Sequence, residues 1–346
     1  MRNICVLFGG TSPEHEISVK SAQWVIGAIR GHNVVPVYIT KQGKWLMYDG
    51  KLDNIEGIDW EKFGTPAILS PDRVNRGLLR MVNDKVKIIP IDMVFPVLHG
   101  QGGEDGTIQG LCELAGIPHV GCGVLASAVC MDKSFTKLVA RAHKIPQAEY
   151  LVYNKEALTD PARRKAALRK IAAKLKYPCF VKYASGGSSL GISKAENKKQ
   201  LEAAIDHALS YGPKVVVEKA VTGREFELSV LGEGADAIVS VPGEIITEGG
   251  FYDYAAKYDV KSTAQTPYPA DLPAEITEKM QSYALQIFRA VDGRGMARVD
   301  FFLTEENKIL LSEVNTVPGF TKISLFTKLL AHGGISRTEL VERLLS

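Results

Sequence analysis

The chain has 346 residues, too many for one small core and enough for two or three α/β domains of ordinary size. Its 42 basic and 39 acidic residues nearly cancel and are mixed along the whole length, which excludes a basic nucleic-acid face or a polybasic membrane anchor and leaves small molecules as the expected partners. The five cysteines (Cys5, Cys112, Cys122, Cys130 and Cys179) lie mostly in apolar surroundings without C-x-x-C spacing, the pattern of buried thiols in a reducing compartment.

The first apolar run, residues 4–8, ends at Gly9-Gly10 and is too short for the hydrophobic region of a signal peptide. It reads as a β-strand. No stretch is long enough to cross a bilayer, so the expectation is a cytoplasmic protein. After the loop 9–13, Ile17, Trp24, Val25, Ala28 and Ile29 recur at helical spacing and predict a helix from about Glu14. Residues 34–39 and 93–98 read as further strands, and 107–115, closed by Gly116, as a helix with a glycine stop. This alternation argues for βαβ units and a largely parallel sheet.

A second region starts near Cys130. The spacing predicts helices over 131–143 and 160–175, the latter with Asp160 as N-cap and Pro161 in its first turn. Strands are predicted over 179–183 and 215–218, with the glycine- and serine-rich stretch 184–191 between them. From about Lys219 the pattern turns to strands, over 226–231, 237–241, 296–303 and 309–314, and a last helix, 337–345, follows a capping box of Ser336 and Glu339. Residues 248–269 fit neither period and are too long for an idle connection, so they read as an active-site cover.

The strongest local chemistry lies in Arg298-Val-Asp300 and Glu313-Val-Asn315. Polar residues two apart share one face of a strand, and a hairpin centred on Glu306-Asn307 sets Asp300 opposite Glu313 and Arg298 opposite Asn315. Facing carboxylates repel unless a cation lies between them. A hard cation such as magnesium, shared with nucleotide phosphates, is the natural occupant, against the plainer reading of a solvated sheet face with an Arg-Asp pair. The segment Thr316-Val-Pro-Gly-Phe-Thr321 then leaves the ladder where ligands would meet a substrate.

A second signal is Lys182 at the end of a strand followed by Tyr-Ala-Ser-Gly-Gly-Ser-Ser-Leu-Gly191. Small residues let backbone N–H groups wrap anionic oxygens, and the lysine adds a point charge, although such loops also serve as plain connections. No G-x-x-x-x-G-K-[ST] or G-x-G-x-x-G is present, which disfavours P-loop and dinucleotide folds. Taken locally, Glu14-His15-Glu16 is an acidic helix start, His99-Gly-Gln-Gly-Gly-Glu-Asp-Gly106 a glycine-rich turn at a strand end, and Lys133 and Lys257 surface charges. The other histidines show no metal-ligand spacing.

Together these segments resemble D-alanine:D-alanine ligases over essentially the whole chain and in the family's order. The matching stretches are GGTSPEHEIS (9–18), FPVLHGQGGEDGTIQG (95–110), MDKSFTK (131–137), VKYASGGSSLGISK (181–194), VEKAVTGREFE (217–227), FYDYAAKY (251–258), RVDFF (298–302) and EVNTVPGFTKIS (313–324). The resemblance implies a three-domain ATP-grasp fold of α/β class: an N-terminal substrate-binding domain (1–129), a central domain (130–218) and a C-terminal catalytic domain (219–346), the last two clasping ATP. It implies Lys133 and Lys182 on phosphates, Glu218, Lys219 and Val221 on the adenine side, Glu225 on the ribose and Lys257 on the γ-phosphate. Asp300, Glu313 and Asn315 match ligands of two magnesium or manganese ions. Glu14 matches the receptor of the first D-alanine ammonium, Arg298 and the Gly319 backbone surround the oxyanion, and Ser188 with Tyr258 ties the mobile loop over the site. Ile17, His99, Ser324 and Leu325 match substrate-binding positions.

The chain departs from the family at Tyr183, where proline is usual, at Gly186, and in a longer segment after Tyr258. The implied reaction joins two D-alanines through a D-alanyl phosphate, in a homodimer of the cytoplasm serving peptidoglycan precursor synthesis. Two alternatives are the same chemistry with D-serine or D-lactate as second substrate, as in the vancomycin-resistance ligases, and a nucleotide-binding regulatory protein without turnover. Leu325, where resistance ligases often carry arginine, and Tyr258, which ester-forming ligases typically lack, favour D-alanine.

Overall fold

The computed structural model describes residues 1–53, 55–187, 191–246 and 265–346. The opening strand β1 (Asn3–Gly9) is buried on both faces, as its unbroken apolar run demands. It pairs in parallel with β2 (Asn33–Ile39) and β7 (Met93–Pro96), and helices α1 (His15–Ile26), α2 (Trp60–Phe63) and α3 (Thr107–Ala115) belong to the same region. Ile4, Val6 and Phe8 pack with Val25 and Ile29, while Cys5 and Leu7 point the other way onto Ile108 and Cys112.

The expectation of a largely parallel sheet holds for β2-β1-β7 and fails beyond them. β3 (Trp45–Met47), β4 (Thr65–Leu69), β5 (Gly77–Val82) and β6 (Lys85–Pro90) extend the sheet antiparallel, giving the order β6-β5-β4-β3-β2-β1-β7. For the β2–β3, β4–β5 and β5–β6 joins the reason is reach: those connections are too short to make a parallel crossover. Asn83 and Asp84 turn the β5–β6 hairpin with positive φ.

Helices α4 (Val124–Met131) and α5 (Lys133–Ala142) replace the single helix expected over 131–143. Asp132 breaks them: its backbone is extended and its carboxylate accepts from Ser134 N–H and Phe135 N–H as the N-cap of α5. Ala126, Cys130 and Ala140 of this pair pack into the core of the third sheet. The second sheet is wholly antiparallel, in the order β10-β9-β11-β8, from β8 (Tyr150–Asn154), β9 (Cys179–Tyr183), β10 (Ile192–Ala195) and β11 (Lys214–Lys219). Helices α6 (Lys155–Thr159), α7 (Pro161–Lys174) and α8 (Lys198–Tyr211) cover it, with Asp160 capping α7 as expected.

The third sheet joins β12 (Gly223–Glu233), β13 (Ile238–Val239), β14 (Gly243–Ile245), β15 (Arg294–Thr304) and β16 (Ile309–Asn315), with α9 (Ala274–Ala290) on its apolar face. Only two residues of the expected strand 237–241 pair as β13: at Ser240 the backbone N–H still donates to the Ser229 carbonyl, but the Ser240 hydroxyl, not its carbonyl, takes the Ser229 N–H. Phe226, Phe288 and Phe301 are fully buried here, each contributing about 1.5–3 kcal/mol of apolar burial. Two helices close the chain, α10 (Leu325–His332) and α11 (Arg337–Leu345). Leu340, Val341, Leu344 and Leu345 of α11 pack back into the core beside β1. Ser336 caps α11 through Glu339 N–H, but the Glu339 carboxylate pairs with Arg343, one turn on, so the capping box forms by its serine half.

Candidate active site

The polar face of the third sheet carries a row of acids. Asp300 on β15 stands opposite Glu227 on β12 and opposite Glu313 on β16, while Arg298 stands opposite Ser229 and Asn315. The predicted facing of Asp300 with Glu313 is therefore present, but a β-bulge produces it. Near the turn the register runs Leu303 to Ile309 and Phe301 to Leu311, and it shifts between Asp300 and Phe301, with Ser312 as the extra residue. The bulge reverses the alternation of β16, so Ile309, Leu311 and Val314 all face the core while Glu313 and Asn315 face the cleft.

Arg298 serves the whole row. Its Nε and Nη2 donate to the two Asp300 oxygens at 2.8 and 2.7 Å, and it lies 3.4 Å from Glu227 and 3.8 Å from Glu313. Burial alone would lower its pKa, but Asp300 and Glu227 outweigh that and raise it well above its ordinary value. One guanidinium against three buried or half-buried carboxylates leaves a negative excess on this face.

Across the cleft the charges reverse. The N-cap at Asp132 starts α5 so that Lys133 and Lys137, one turn apart, share a face. Lys133 Nζ donates to the Gly186 carbonyl at 2.6 Å and lies 3.6 Å from Glu313. Lys182 stands opposite Val216 in the β9–β11 register, so Glu218 is its diagonal neighbour, and Nζ meets Glu218 Oε2 at 3.0 Å. Burial would discourage ionisation of Glu218, but Lys137 and Lys182 overcome it and hold the carboxyl down at about 2. Lys182 also feels Glu313 and Glu225, so the expected phosphate, metal and ribose residues converge on one region.

The N-terminal region forms the third wall. Glu14 is buried and shares a cavity with Glu104, Lys133, Gly186, Gly187, Arg298, Glu313 and Asn315. Gly100 has φ +72°, and a Cβ there would lie 2.6 Å from Glu14 Oε2 and Ser12 Oγ, so its glycine keeps room for the carboxylate. Buried His99 ties this wall to the turn after β16. Its Nδ1 donates to the Val317 carbonyl at 3.0 Å, Nε2 meets Ser21 Oγ at 3.1 Å, and Ser21 Oγ accepts from Phe320 N–H at 3.2 Å. Gly319 is thereby held from both sides. A neighbouring cavity is lined by Glu227, Ile245, Arg298, Gly319, Ser324 and Leu325.

Two family profiles cover this architecture: one described as D-ala D-ala ligase N-terminus matches residues 3–122, and one described as D-ala D-ala ligase C-terminus matches residues 139–346. The chain belongs to the D-alanine–D-alanine ligase family. A D-alanine–D-alanine ligase of Caldicellulosiruptor bescii is 45% identical over 346 residues, covering 99% of this chain and 94% of the relative. The crystal structure of the VanG D-Ala:D-Ser ligase from Enterococcus faecalis superposes with TM-score 0.89 at 37% identity, covering 99% of this chain and 98% of that one. The D-alanine–D-alanine ligase from Coxiella burnetii gives TM-score 0.85 at 31% identity, covering 100% of this chain and 94% of that one.

Not every residue that the family likeness proposed lines these two cavities. Ile17 lines a different cavity with Trp24, Ile323 and Arg337. Lys219 is exposed and its N–H donates to the Glu149 carbonyl, and Val221 is half-buried on the way to β12. Ser188, Lys257, Tyr258 and most of the expected cover 248–269 lie outside the described residues. The departure at Tyr183 stacks on Tyr211, and that at Gly186 supplies the carbonyl to Lys133. Sequence reasoning missed Glu227, Lys137 and Ser21. Glu227 shares a strand face with Glu225 and Ser229, a signal that was present, whereas Lys137 and Ser21 show their partners only once the chain is folded.

Proposed function

We propose that the chain joins two D-alanine molecules at the expense of ATP through a D-alanyl phosphate. The observation that carries this reading is the acid row Glu227-Asp300-Glu313 facing Lys133 and Lys182 across a cleft that also holds Glu14. Polyphosphate suits the lysines, a cation suits the acids, and a substrate ammonium suits Glu14.

The donor set of two carboxylates, Asp300 and Glu313, with the Asn315 amide fits magnesium or manganese that keeps waters and phosphate oxygens in its shell. Among the described residues no group of three His, Cys, Asp or Glu side chains could hold a metal ion by itself. Bound there, the metal would neutralise charge on the transferring phosphoryl group. Two such ions are our reading of the family likeness.

In the first step a carboxylate oxygen of the first D-alanine attacks the γ-phosphorus, the bond to the β-phosphate oxygen breaks, and ADP departs. The amine of the second D-alanine then attacks the acyl phosphate, and inorganic phosphate leaves. Lys133 and Lys182 hold phosphates, with Glu218, Lys219, Val221 and Glu225 on the nucleoside side. Arg298 and the Gly319 N–H stand beside the oxyanion, where fixed donors act without reorganising. Ser324 and the first N–H groups of α10 receive the second carboxylate. Lys257, Ser188 and Tyr258 complete the closed site in this reading.

A second reading, D-serine as the second substrate, is favoured by the likeness to VanG. Against it stands Leu325, which packs with Ile245 and Leu329 and lines the cavity beside Arg298. A serine hydroxyl on that apolar wall would lose its hydration at a cost of about 1–3 kcal/mol. The test is a competition among D-alanine, D-serine and D-lactate at equal concentration with the products identified by mass. D-Alanyl-D-alanine is expected to dominate, and a dominant mixed product would overturn the substrate assignment.

The division into units 1–129, 130–218 and 219–346 is likewise proposed, as is a cytoplasmic homodimer. Buried free thiols support a reducing compartment, and exposed Leu114 and Leu125 offer an apolar face for a second copy.

A further inference from the structure

Lys137 has no part in the roles given above, yet it is 3% exposed and sits in the cation cluster of the cleft. A buried ammonium is costly unless something holds it there. Its Nζ lies 3.1 Å from Glu218 Oε1 and 5.1 Å from the Tyr150 ring centroid, a cation–π contact. The contact with Oε1 is an ion pair, and the Tyr150 hydroxyl has no hydrogen-bond partner among the described residues. A buried ion pair and a buried hydroxyl therefore meet beside Lys182.

Glu218 is thus gripped at both oxygens, by Lys137 at Oε1 and by Lys182 at Oε2. The two lysines differ. Burial lowers the pKa of Lys137, reinforced by Lys182 and Lys133, whereas Glu218, Glu313 and Glu225 raise that of Lys182 despite its burial. Lys182 lies near the end of β9, with only Tyr183 between it and the glycine- and serine-rich segment, while Lys137 is fixed on α5 with its ammonium against Tyr150. Once Lys182 turns to phosphate, Oε2 becomes available and Lys137 is left as the cation that keeps Glu218 charged and in place.

We propose that Lys137 is a positioning residue for the nucleotide base: it anchors Glu218 so that the carboxylate accepts a hydrogen from the 6-amino group of adenine and rejects a 6-oxo purine. This rests on the ATP-dependent ligase reading. A fixed carboxylate accepts from an amine and repels a carbonyl oxygen. Without the Lys137 charge, buried Glu218 moves or takes a proton, and a protonated carboxyl can donate to the carbonyl it formerly excluded.

The test compares ATP with GTP in dipeptide synthesis by the full chain, using Lys137→Met, Lys137→Arg and Glu218→Gln. Lys137→Met is expected to raise KM for ATP and to shrink the ATP:GTP ratio of kcat/KM by about tenfold or more, with KM for D-alanine changed by less than about twofold. Lys137→Arg is expected to restore most of the ratio. A fall in kcat for both nucleotides with the ratio unchanged would mean a purely structural lysine and would overturn the proposal.

Should Lys137→Met fail to fold, the double variant Lys137→Met/Glu218→Gln removes both members of the buried pair, a change that folds more readily than loss of one. Its ATP:GTP ratio is expected to equal that of Glu218→Gln alone. A further change would show that Lys137 acts on the nucleotide directly and would equally overturn the proposal. A wild-type enzyme that used GTP as well as ATP would also refute it while leaving the ligase reading intact. Absence of ATP-dependent dipeptide synthesis would instead remove that reading.

Discussion

Gly100→Ala is a test of where Glu14 must lie. The added Cβ would sit 2.6 Å from both Glu14 Oε2 and Ser12 Oγ, roughly 1 Å inside ordinary contact. The backbone there has φ +72°, which costs a residue with a Cβ about 1–2 kcal/mol. Because Glu14 is walled in by Gly100 on one side and Gly187 on another, its carboxylate would have to shift by several tenths of an ångström to relieve the clash. Misplacement on the scale of 1 Å costs roughly 100-fold when the displaced group orients a reactant. The variant is therefore expected to lose about 1–2 kcal/mol of stability and 10- to 100-fold in kcat/KM for D-alanine. Its calorimetric ATP affinity should fall by less than its kcat/KM for D-alanine, since the nearest atoms to the added Cβ belong to Glu14 and Ser12 and not to the lysines that hold phosphate. Steady-state kinetics with D-alanine varied at saturating ATP reads the first effect. Full D-alanine turnover in a folded Gly100→Ala variant would refute the role of Glu14, and a parallel fall in ATP affinity would show general disruption.

Three further outcomes are expected. Glu313→Gln should lower ATP turnover roughly 10²- to 10³-fold with the fold intact by circular dichroism, and near-normal rates at modest magnesium would remove Glu313 from the metal set. Lys133→Ala and Lys182→Ala should each weaken calorimetric ATP binding about tenfold or more, as expected for loss of a hydrogen bond to a charged group; unchanged affinity in both would return them to ordinary structural lysines. Glu218, lowered from 4.5 to about 2 in the folded chain, contributes stability that is fully present above about pH 4.5 and is lost as pH falls toward 2. Urea unfolding across that window should show a shallower acid slope in Glu218→Gln than in wild type, and equal slopes would contradict the assignment.

Much of the site was legible because it is local. Asp300 and Glu313 could be set face to face from the hairpin alone, and the N-cap at Asp160 and the glycine stop at Gly116 read correctly from single residues. The facing acids were nevertheless reached by assuming a regular ladder, whereas the chain uses a bulge at Ser312, which no periodicity announces. Asp132 went unread as a cap because an apolar helical pattern runs across it, and the competition between continuing a helix and capping a new one was decided by packing, with Lys214 Nζ on the same carboxylate. The antiparallel extension beyond β2 was missed for want of strong alternation in short, half-exposed strands.

Sequence alone determined the family, many of the elements and the residue types from which a phosphate and cation site is made, since these depend on neighbours a few positions apart. Only the tertiary structure decided which lysine meets which acid. Lys182 and Glu218 are 36 positions apart, Lys133 and Gly186 are 53, and His99 and Val317 are 218. Charge carries no label for its distant partner, so any of many lysines could have faced the acids. Burial selects the pair: a charged group can leave water only where another element brings an opposite charge or a hydrogen-bond partner to it, and that meeting is a property of the packed sheets and helices.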